Sequence, residues 1–482
     1  MPDARPAERR YQTAFQNLPR EHGFEPLRVE GTLPDDLRGT CYRNGPGLVE
    51  LLGREYQHWF DGDGAVSAVR FTDGGALGAA RVIQTAGLLE ERERGRPYFG
   101  AYGTKSPGLW NPMRTWRFVN GTSKNPANTS LLWWDHRLLA LCEAGRPFEV
   151  DPETLRSIGQ TDLDGVVEGA FSAHPHPVAK TGYVFNIGAR IGRPNAVDVF
   201  ALRPDGTAGL LARVPLRFNT MIHDFAATER HLVIFVAPLK LRLLPMMLGL
   251  ESFDSALQWD AATGTEVIVV PLDAPASPKR FDVDAFWHWH TSNAFETGDG
   301  KIVVDLVRYD DFDRTNDWLA RIPHGDVDSD GQGVLSRATV DPAAESVQFE
   351  PLVTAVTGEF PRVAPHVEAG RYRQLYWAEH STPDVGRYGP PDSVARVDLE
   401  TGDRDVFVFD DGHAPSEAVF APRPGSEDET DGYLITQVYD PGSHTTYWAV
   451  LDAAHVSDGP IATAHHDHHV PLSFHGKWRP AP

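Results

Sequence analysis

The chain has 482 residues, of which 41% are hydrophobic and 10% aromatic, enough to bury a large core. Its formal net charge of −22 argues against nucleic acid as a partner, because binding to phosphates depends on clustered basic side chains. With two cysteines it lacks a disulfide framework, which favours a cytoplasmic location. The longest apolar stretch, 232–250, contains two prolines and two basic residues, so we expect no membrane-spanning segment.

Residues 1–24 are expected to form an N-terminal extension, and the rest of the chain a single domain. Short apolar runs follow in chain order at 131–134, 138–141, 182–187, 231–236 and 301–306. Their length and their β-branched or aromatic content predict strands, and Asp- and Gly-rich segments such as 151–154 and 398–402 predict tight turns. The strands are too closely spaced for helical crossovers, so the predicted class is all-β.

Six polar residues recur along the chain at intervals of 49 to 69 residues: His174, His223, His290, Glu359, Glu417 and His475. Such spacing suggests a structural unit that repeatedly returns the chain to one axis, as the blades of a β-propeller do. The interval exceeds the blade length of about 40–50 residues in propellers with sequence repeats. Long loops gathered on one face would account for the difference.

Four imidazoles converging on that axis would form an all-nitrogen metal site. The chain has 20 histidines, however, and residue types alone do not select the ligands. His176 lies two positions after His174, and His288 two positions before His290, so on a strand the members of each pair point to the same side. The segment 465–469, His-His-Asp-His-His, could also bind metal, although its position favours an outer strand or loop.

From about residue 25 to its end, the chain resembles the carotenoid cleavage oxygenase family. The resemblance rests on motifs in a fixed order along the chain. These are Tyr42-Arg43-Asn44-Gly45-Pro46, residues 58–64, 125–129 and 138–143, Ser172-Ala173-His174-Pro175, Ile222-His223-Asp224-Phe225, His290-Thr291-Ser292-Asn293, Ser416-Glu417-Ala418-Val419-Phe420 and Phe474-His475-Gly476.

The resemblance implies a seven-bladed β-propeller with loops and short helices forming a dome over an axial Fe²⁺. It selects four histidines as ligands, with a glutamate behind each of three of them, and places a threonine near an open iron position. The implied ligands are His174, His223, His290 and His475; the glutamates are Glu143, Glu359 and Glu417; the threonine is Thr129. The resemblance prefers His174 to His176 and His290 to His288.

The implied activity is dioxygenase cleavage of a carbon–carbon double bond in a carotenoid or apocarotenoid, with aldehyde or ketone products such as retinal. Met221, Trp289 and Tyr102 are expected to shape the substrate tunnel. The apolar segment 239–250, with its two basic residues, predicts peripheral contact with a membrane surface. We expect a monomer whose partners are the substrate and O₂.

Three alternatives stay open on the same scaffold. Stilbene-cleaving relatives bind the phenol with a tyrosine, for which Tyr102 is the candidate here, and with a lysine just before the glutamate at 143. Cys142 occupies that position here, and a thiol cannot replace an ammonium donor. A retinoid isomerohydrolase would keep the same ligands, and a non-catalytic carotenoid-binding propeller would be expected to have lost some of them.

Overall fold

The computed structural model describes residues 10–108, 124–143, 145–325, 327–329 and 331–481. Seven antiparallel sheets, most of them four-stranded, follow one another along the chain and form a seven-bladed β-propeller. The predicted all-β class and the propeller are therefore confirmed.

We number the blades in chain order, and we assign the N- and C-terminal strands to the blades with which they pair. Blade one consists of His22–Pro26, Gly75–Val82, Asp63–Thr72, Gly39–Leu48 and His475–Pro480. Blade two consists of Ser130–Trp134, Arg137–Leu141, Phe148–Val150 and Ser157–Gln160. Blade three consists of His176–Val178, Tyr183–Arg190, Ala196–Leu202 and Ala208–Pro215. Blade four consists of Ala226–Ala227, His231–Val236, Thr265–Pro271 and Lys279–Val283.

The remaining three blades follow the same antiparallel pattern. Blade five consists of Trp287–Glu296, Ile302–Tyr309, Val334–Asp341 and Ser346–Pro351. Blade six consists of Gly358–Arg362, Gln374–Glu379, Ser393–Asp398 and Arg404–Val408. Blade seven consists of Ala414–Pro415, Val419–Pro422, Gly432–Asp440, Thr445–Asp452, Pro460–His465 and Arg28–Gly31.

Short helices and two small hairpins lie in the connections between strands. The α-helices are Ala86–Arg94, Leu243–Met247, Phe253–Ala256, Phe312–Arg321 and Pro383–Tyr388. The 3₁₀ helices are Arg10–Ala14, Trp59–Asp61, Ala261–Thr263, Ile322–His324, Pro365–Val367 and Val456–Asp458. The hairpins pair Glu50–Leu51 with Arg54–Glu55 and Leu239–Leu241 with Leu257–Trp259. Within the described ranges, none of the helices is long and apolar enough to cross a membrane.

Strands inside a blade are apolar on both faces because each blade packs against two neighbours. In the strand His231–Val236, Leu232 and Ile234 belong to the core shared with blade three. Val233 and Phe235, on the other face, belong to the core shared with blade five. The continuous apolar runs in the sequence are therefore strands of a propeller interior and not helices.

The ring of blades is closed by both ends of the chain. The C-terminal strand His475–Pro480 pairs with Gly39–Leu48 of blade one, in a register that places Asn44 opposite His475. The N-terminal strand Arg28–Gly31 pairs in turn with Pro460–His465 of blade seven. The C-terminal strand thus lies in blade one and an N-terminal strand in blade seven, so both ends of the chain tie these two blades together.

Arg43 anchors the closing segment from inside blade one. The side chain is fully buried, and its Nε donates to Ser473 Oγ at 2.7 Å. Its Nη1 donates to the Glu417 carbonyl at 2.6 Å and its Nη2 to the Phe474 carbonyl at 2.7 Å. One guanidinium therefore ties the two residues just before His475 to the backbone of Glu417.

The described part of the expected N-terminal extension, residues 10–24, packs onto the propeller. Tyr11, Ala14 and Phe15 are buried, and the Phe15 ring meets that of Trp59 in an edge-to-face contact at 5.2 Å between centroids. Leu472 donates its backbone N–H to the Ala14 carbonyl at 3.4 Å. This segment therefore packs against Trp59 and against the residues that lead into the closing strand.

We expect Arg43→Met to lower the free energy of unfolding by about 3–5 kcal/mol, because it removes three buried hydrogen bonds from a charged donor. Urea denaturation followed by tryptophan fluorescence measures the change. Arg28→Met is the control, since Arg28 forms an exposed ion pair with Glu30 on the other closing strand. Equal midpoints for the two variants would contradict the role of Arg43 in closure.

Candidate metal centre

Four histidines from four blades meet on the propeller axis. His174 and His223 directly precede the inner strands of blades three and four, His290 lies within the inner strand of blade five, and His475 begins the closing strand of blade one. The pairing of Trp287–Glu296 with its neighbour is irregular between His288 and Thr291. Such a bulge can redirect a side chain locally, and here it lies at His290.

The imidazoles face one another closely. His290 Nε2 lies 3.1 Å from His475 Nε2 and 3.4 Å from His223 Nε2. The His174 ring centroid is 4.4 Å from that of His223, 5.0 Å from that of His290 and 4.9 Å from that of His475. All four side chains are buried. The structure thus brings together the four histidines that the sequence analysis selected.

Each of three histidines has a carboxylate at its Nδ1. The Glu143 Oε1 to His223 Nδ1 distance is 2.6 Å, the Glu359 Oε2 to His290 Nδ1 distance is 2.5 Å, and the Glu417 Oε1 to His475 Nδ1 distance is 2.9 Å. A carboxylate at Nδ1 accepts the ring proton and leaves the Nε2 lone pair directed at the centre. Three rings are thus prepared as metal ligands.

His174 is the exception. Its Nε2 is buried and has no hydrogen-bond partner among the described residues, with Glu143 Oε1 at 3.8 Å. Burial lowers the pKa of His174 well below its ordinary value, and the neighbouring rings of His223 and His475 lower it further. A neutral imidazole with a buried, unpaired nitrogen suits a metal and is costly without one.

The charges of the carboxylates also require a cation. Burial raises the pKa of Glu417, but Arg362, His475 and Arg43 offset this effect and hold the pKa at about 2. Arg362 Nε lies 3.6 Å and Arg43 Nη1 4.0 Å from this carboxylate.

Glu143 and Glu359 are likewise ionised, since burial raises the pKa of each but the facing histidines lower it by more. Within the described ranges, the ion-pair partners of both are histidines alone. The two carboxylates without arginine partners match the charge of one divalent cation, so the residues fit a bound M²⁺.

The histidines that the sequence analysis set aside lie outside this cluster. His176 Nε2 is 2.7 Å from Asp224 Oδ1, and Asp224 Oδ2 accepts the backbone N–H of Thr291 at 2.7 Å. The His288 ring packs edge-on against Phe235, at 5.5 Å between centroids. Both side chains support the strands that carry His174, His223 and His290.

A cavity of about 540 Å³ adjoins the cluster and is within the range of small-molecule sites. Helices and loops over one face of the propeller form its walls, as predicted for the dome. Apart from the cluster, its lining is dominated by aromatic and aliphatic side chains: Trp59, Phe60, Tyr102, Ile187, Ile191, Met221, Ile222, Met246, Phe253, Trp289, Trp318, Leu319, Phe360 and Phe474.

The other predicted site residues line the same cavity. Thr129 is buried and lies there with Cys142 and Glu143. The Trp289 ring meets the His223 ring edge to face at 4.8 Å, and its Nε1 donates to Thr315 Oγ1 at 3.0 Å. Met221 also contributes to the wall.

Tyr102 lies outside the ligand motifs in the sequence but lines the cavity. Its hydroxyl donates to Asn316 Oδ1 at 2.9 Å. The predicted membrane segment 239–250 reaches the same cavity through Met246 and Met247. Its Leu244 and Leu250 side chains are 67% and 64% exposed, unlike most large apolar residues of the chain.

Several residues that support the site were not singled out by the sequence analysis. Tyr309 donates its hydroxyl to Glu359 Oε1 at 2.5 Å, and the Phe360 N–H donates to Glu359 Oε2 at 2.8 Å. Arg43 and Arg362 surround Glu417. Arg43 lies in one of the motifs that carry the resemblance, which could have identified it, whereas no local pattern marks Tyr309 or Arg362.

Comparison with known proteins agrees with this geometry. The family model described as retinal pigment epithelial membrane protein matches residues 15–480. The chain is 33% identical to apocarotenoid-15,15'-oxygenase of Synechocystis sp. over 99% of this chain and 98% of the relative. It is 27% identical to resveratrol cleavage oxygenase 1 of Chaetomium globosum, over 95% of this chain and 85% of that protein.

A solved structure of the cobalt-substituted Synechocystis oxygenase superposes with a TM-score of 0.87 at 31% identity, covering 98% of each chain. The similarity thus extends over the whole propeller and includes all blades that contribute to the histidine cluster. The chain belongs to the carotenoid cleavage oxygenase family, the family of the retinal pigment epithelial membrane protein.

Proposed function

We propose that the chain is an iron(II)-dependent dioxygenase that cleaves a carbon–carbon double bond of a carotenoid or apocarotenoid to aldehyde or ketone products such as retinal. The observation that carries the proposal is the cluster of four buried imidazoles, three of them with a carboxylate at Nδ1, beside an apolar cavity. Family membership and the 33% identity to an apocarotenoid oxygenase support the reaction class.

His174, His223, His290 and His475 would hold the ferrous ion through ring nitrogens. Imidazole is a suitable ligand for Fe²⁺, and four neutral ligands leave its charge to the surrounding carboxylates. When bound there, the iron supplies the binding and activation of dioxygen. Hydrogen bonds from Nδ1–H to Glu143, Glu359 and Glu417 keep the proton on Nδ1 of each ring. This is the tautomer that a ligand needs.

The cavity walls would hold and align a polyene. Aromatic rings of Trp289, Phe60 and Phe474 stand next to one another, with Phe60 centroids 5.4 Å from both of the others. Flat apolar surfaces of this kind bind a conjugated chain by contact area and exclude water from the reacting bond. The depth to which the polyene enters decides which bond lies beside the histidine cluster.

A phenolic stilbene is the second candidate, because a resveratrol-cleaving relative matches 95% of the chain. The lysine that the resemblance requires is replaced by Cys142, which is buried and lines the cavity. Lys124 also lines the cavity, but its Nζ already contacts Asp63 at 2.7 Å and Glu91 at 2.8 Å. An ammonium held by two carboxylates is a poor donor to a phenolate, which favours the carotenoid substrates.

We expect His290→Ala to lose both bound iron and cleavage activity, because it removes the ring that contacts two other candidate ligands. Iron content is measured by mass spectrometry after anaerobic reconstitution with Fe²⁺, and activity by product formation. His288→Leu is the matched control two positions away and should retain the iron. An active His290→Ala protein without iron would refute the assignment of this residue as a ligand.

Cleavage by a dioxygenase should place one ¹⁸O atom in each carbonyl product when the Fe²⁺ protein acts on β-carotene or an apocarotenal under ¹⁸O₂. Product masses also locate the bond that is cut. A retinoid isomerohydrolase would give products without ¹⁸O from dioxygen. Resveratrol, assayed in parallel, should react about 10–100-fold more slowly than the carotenoid substrate, because its phenol lacks one charge-assisted hydrogen bond in this cavity. Preferred cleavage of resveratrol would overturn the substrate class.

We also propose that segment 239–250 rests on a membrane surface and admits the substrate from it. Leu244, Leu248 and Leu250 are exposed, while Met246 and Met247 line the cavity, so an apolar path runs from the surface to the interior. Lys240 and Arg242 are engaged by Asp260 and Glu251, each at 2.7–2.8 Å. Because these cations are already paired, apolar insertion and not attraction to anionic lipid should dominate the contact.

Leu244→Glu/Leu250→Glu should reduce flotation of the protein with phosphatidylcholine vesicles, whereas added phosphatidylserine should change flotation little. Ile158→Glu and Leu210→Glu are the controls, because both residues are exposed apolar side chains on outer blade strands. Identical flotation of the segment variant and the wild type would eliminate the membrane role of 239–250.

A further inference from the structure

A second group of histidines lies where the two ends of the chain close the ring. His22 begins the outer strand His22–Pro26 of blade one. His466 and His468 directly follow Pro460–His465, an outer strand of blade seven. The cluster therefore joins two segments more than 400 residues apart in sequence, and none of its members lines the cavity beside the candidate metal centre.

The three rings have the spacing of imidazoles around one ion. Centroids of His22 and His468 are 5.0 Å apart, those of His466 and His468 5.3 Å, and those of His22 and His466 5.7 Å. Two imidazoles bound to zinc at a tetrahedral angle have centroids about 5 Å apart, given metal–nitrogen distances of about 2.0–2.1 Å. One ring nitrogen of each residue lies within 4.8 Å of the other two.

Hydrogen bonds fix the proton positions on two of the rings. His22 Nδ1 donates to the Gly23 carbonyl at 2.9 Å, and His468 Nδ1 donates to Asp467 Oδ1 at 2.7 Å. Each Nε2 then carries a lone pair. Both Nε2 atoms are buried and have no hydrogen-bond partner within the described ranges. This arrangement, with an oxygen acceptor at Nδ1 and an unpaired Nε2, is the one typical of metal-binding histidines.

His466 has the opposite tautomer. The indole Nε1 of Trp448 donates to His466 Nε2 at 3.0 Å, so the neutral ring carries its proton on Nδ1. That Nδ1 is also buried and lacks a partner in the part of the chain that the structure describes. His466 therefore offers a hydrogen-bond donor, and not a lone pair, to whatever the other two rings bind.

The surrounding charges tolerate a cation. Arg20 donates to Glu25 Oε2 at 3.1 Å and to Asp467 Oδ1 at 2.8 Å. This arginine, whose Nη2 also lies 3.5 Å from His468 Nδ1, is thus opposed by two carboxylates at the margin of the cluster. The Asp467 side chain is 77% exposed and that of His468 10%, so the cluster lies just beneath the surface.

We propose that His22 and His468 bind a divalent cation of the zinc type through Nε2, and that His466 donates its Nδ1–H to a water or anion that completes the coordination of this cation. Two imidazoles without thiolates suit Zn²⁺, Ni²⁺ or Cu²⁺ and not Mg²⁺ or Ca²⁺. Because the ligands come from blades one and seven, the ion fastens the closure of the ring and stabilises the folded state.

Zinc binding to the purified full-length protein tests the proposal. Crystals soaked in Zn²⁺ should show an anomalous peak at the zinc edge between His22 and His468. A water molecule at that position can satisfy all three nitrogens by accepting from His466 and donating to the other two rings. Density for a water, with zinc peaks only elsewhere, would overturn the proposal without any variant.

Titration in solution distinguishes a real site from binding at crystal concentrations. For the iron-loaded protein we expect one further equivalent of Zn²⁺, with an affinity lowered at least about 100-fold in His22→Ala/His468→Ala. Zn²⁺ should raise the thermal midpoint of the wild type and not of this variant. His465→Ala is the matched control, since His465 contacts Thr463 Oγ1 at 2.8 Å and lies outside the cluster. Equal zinc binding by the wild type and the double variant would disprove the site.

Discussion

The contacts between three carboxylates and three imidazoles on the propeller axis are the interaction on which the rest of the site depends. Glu143, Glu359 and Glu417 each accept an Nδ1–H; the Glu417 side chain is fully buried, and those of Glu143 and Glu359 are 25% and 13% exposed. Buried carboxylates are costly unless they are paired, so this cluster is stable only with positive charge at its centre. A cation that balances these carboxylates is also the one that the proposed oxygen chemistry would use.

Closure of the ring and assembly of the site depend on the same contacts. His475 belongs to the strand that pairs with Gly39–Leu48, and Arg43 on that strand holds Ser473, Phe474 and the Glu417 backbone. The packing of Phe15 on Trp59, and of Trp59 on Phe474 at 4.8 Å, adds the N-terminal segment to this assembly. Loss of the closing strand would therefore remove a candidate ligand as well as the final strand of blade one.

Features that follow from a local or periodic pattern of residues could be predicted from the sequence. Continuous apolar strands such as His231–Val236 follow from blades packed on both faces, and the six spaced polar residues mark the inner strands of six blades. The choice of His290 over His288 needed the family motif, because both side chains share a strand face until the bulge between them separates their directions. The packing of residues 10–24 could not be predicted, since their partners Trp59 and Tyr388 lie far away in the sequence. For the same reason His22 could not be associated with 466–468.

The rings of the two histidine clusters have similar hydrogen-bond acceptors, but the clusters differ in their surroundings. In both, an acceptor at Nδ1 leaves an Nε2 lone pair facing the neighbouring rings, but the axial cluster has three carboxylates and a cavity of about 540 Å³ beside it. At the closure, one acceptor is the Gly23 carbonyl and the other is the exposed Asp467, which shares its charge with Arg20. Exposed charges stabilise an ion less than buried ones, so the closure site should bind more weakly and exchange faster. Because none of its rings lines the cavity beside the axial cluster, it suits an ion that supports structure, whereas the axial cluster suits one that reacts.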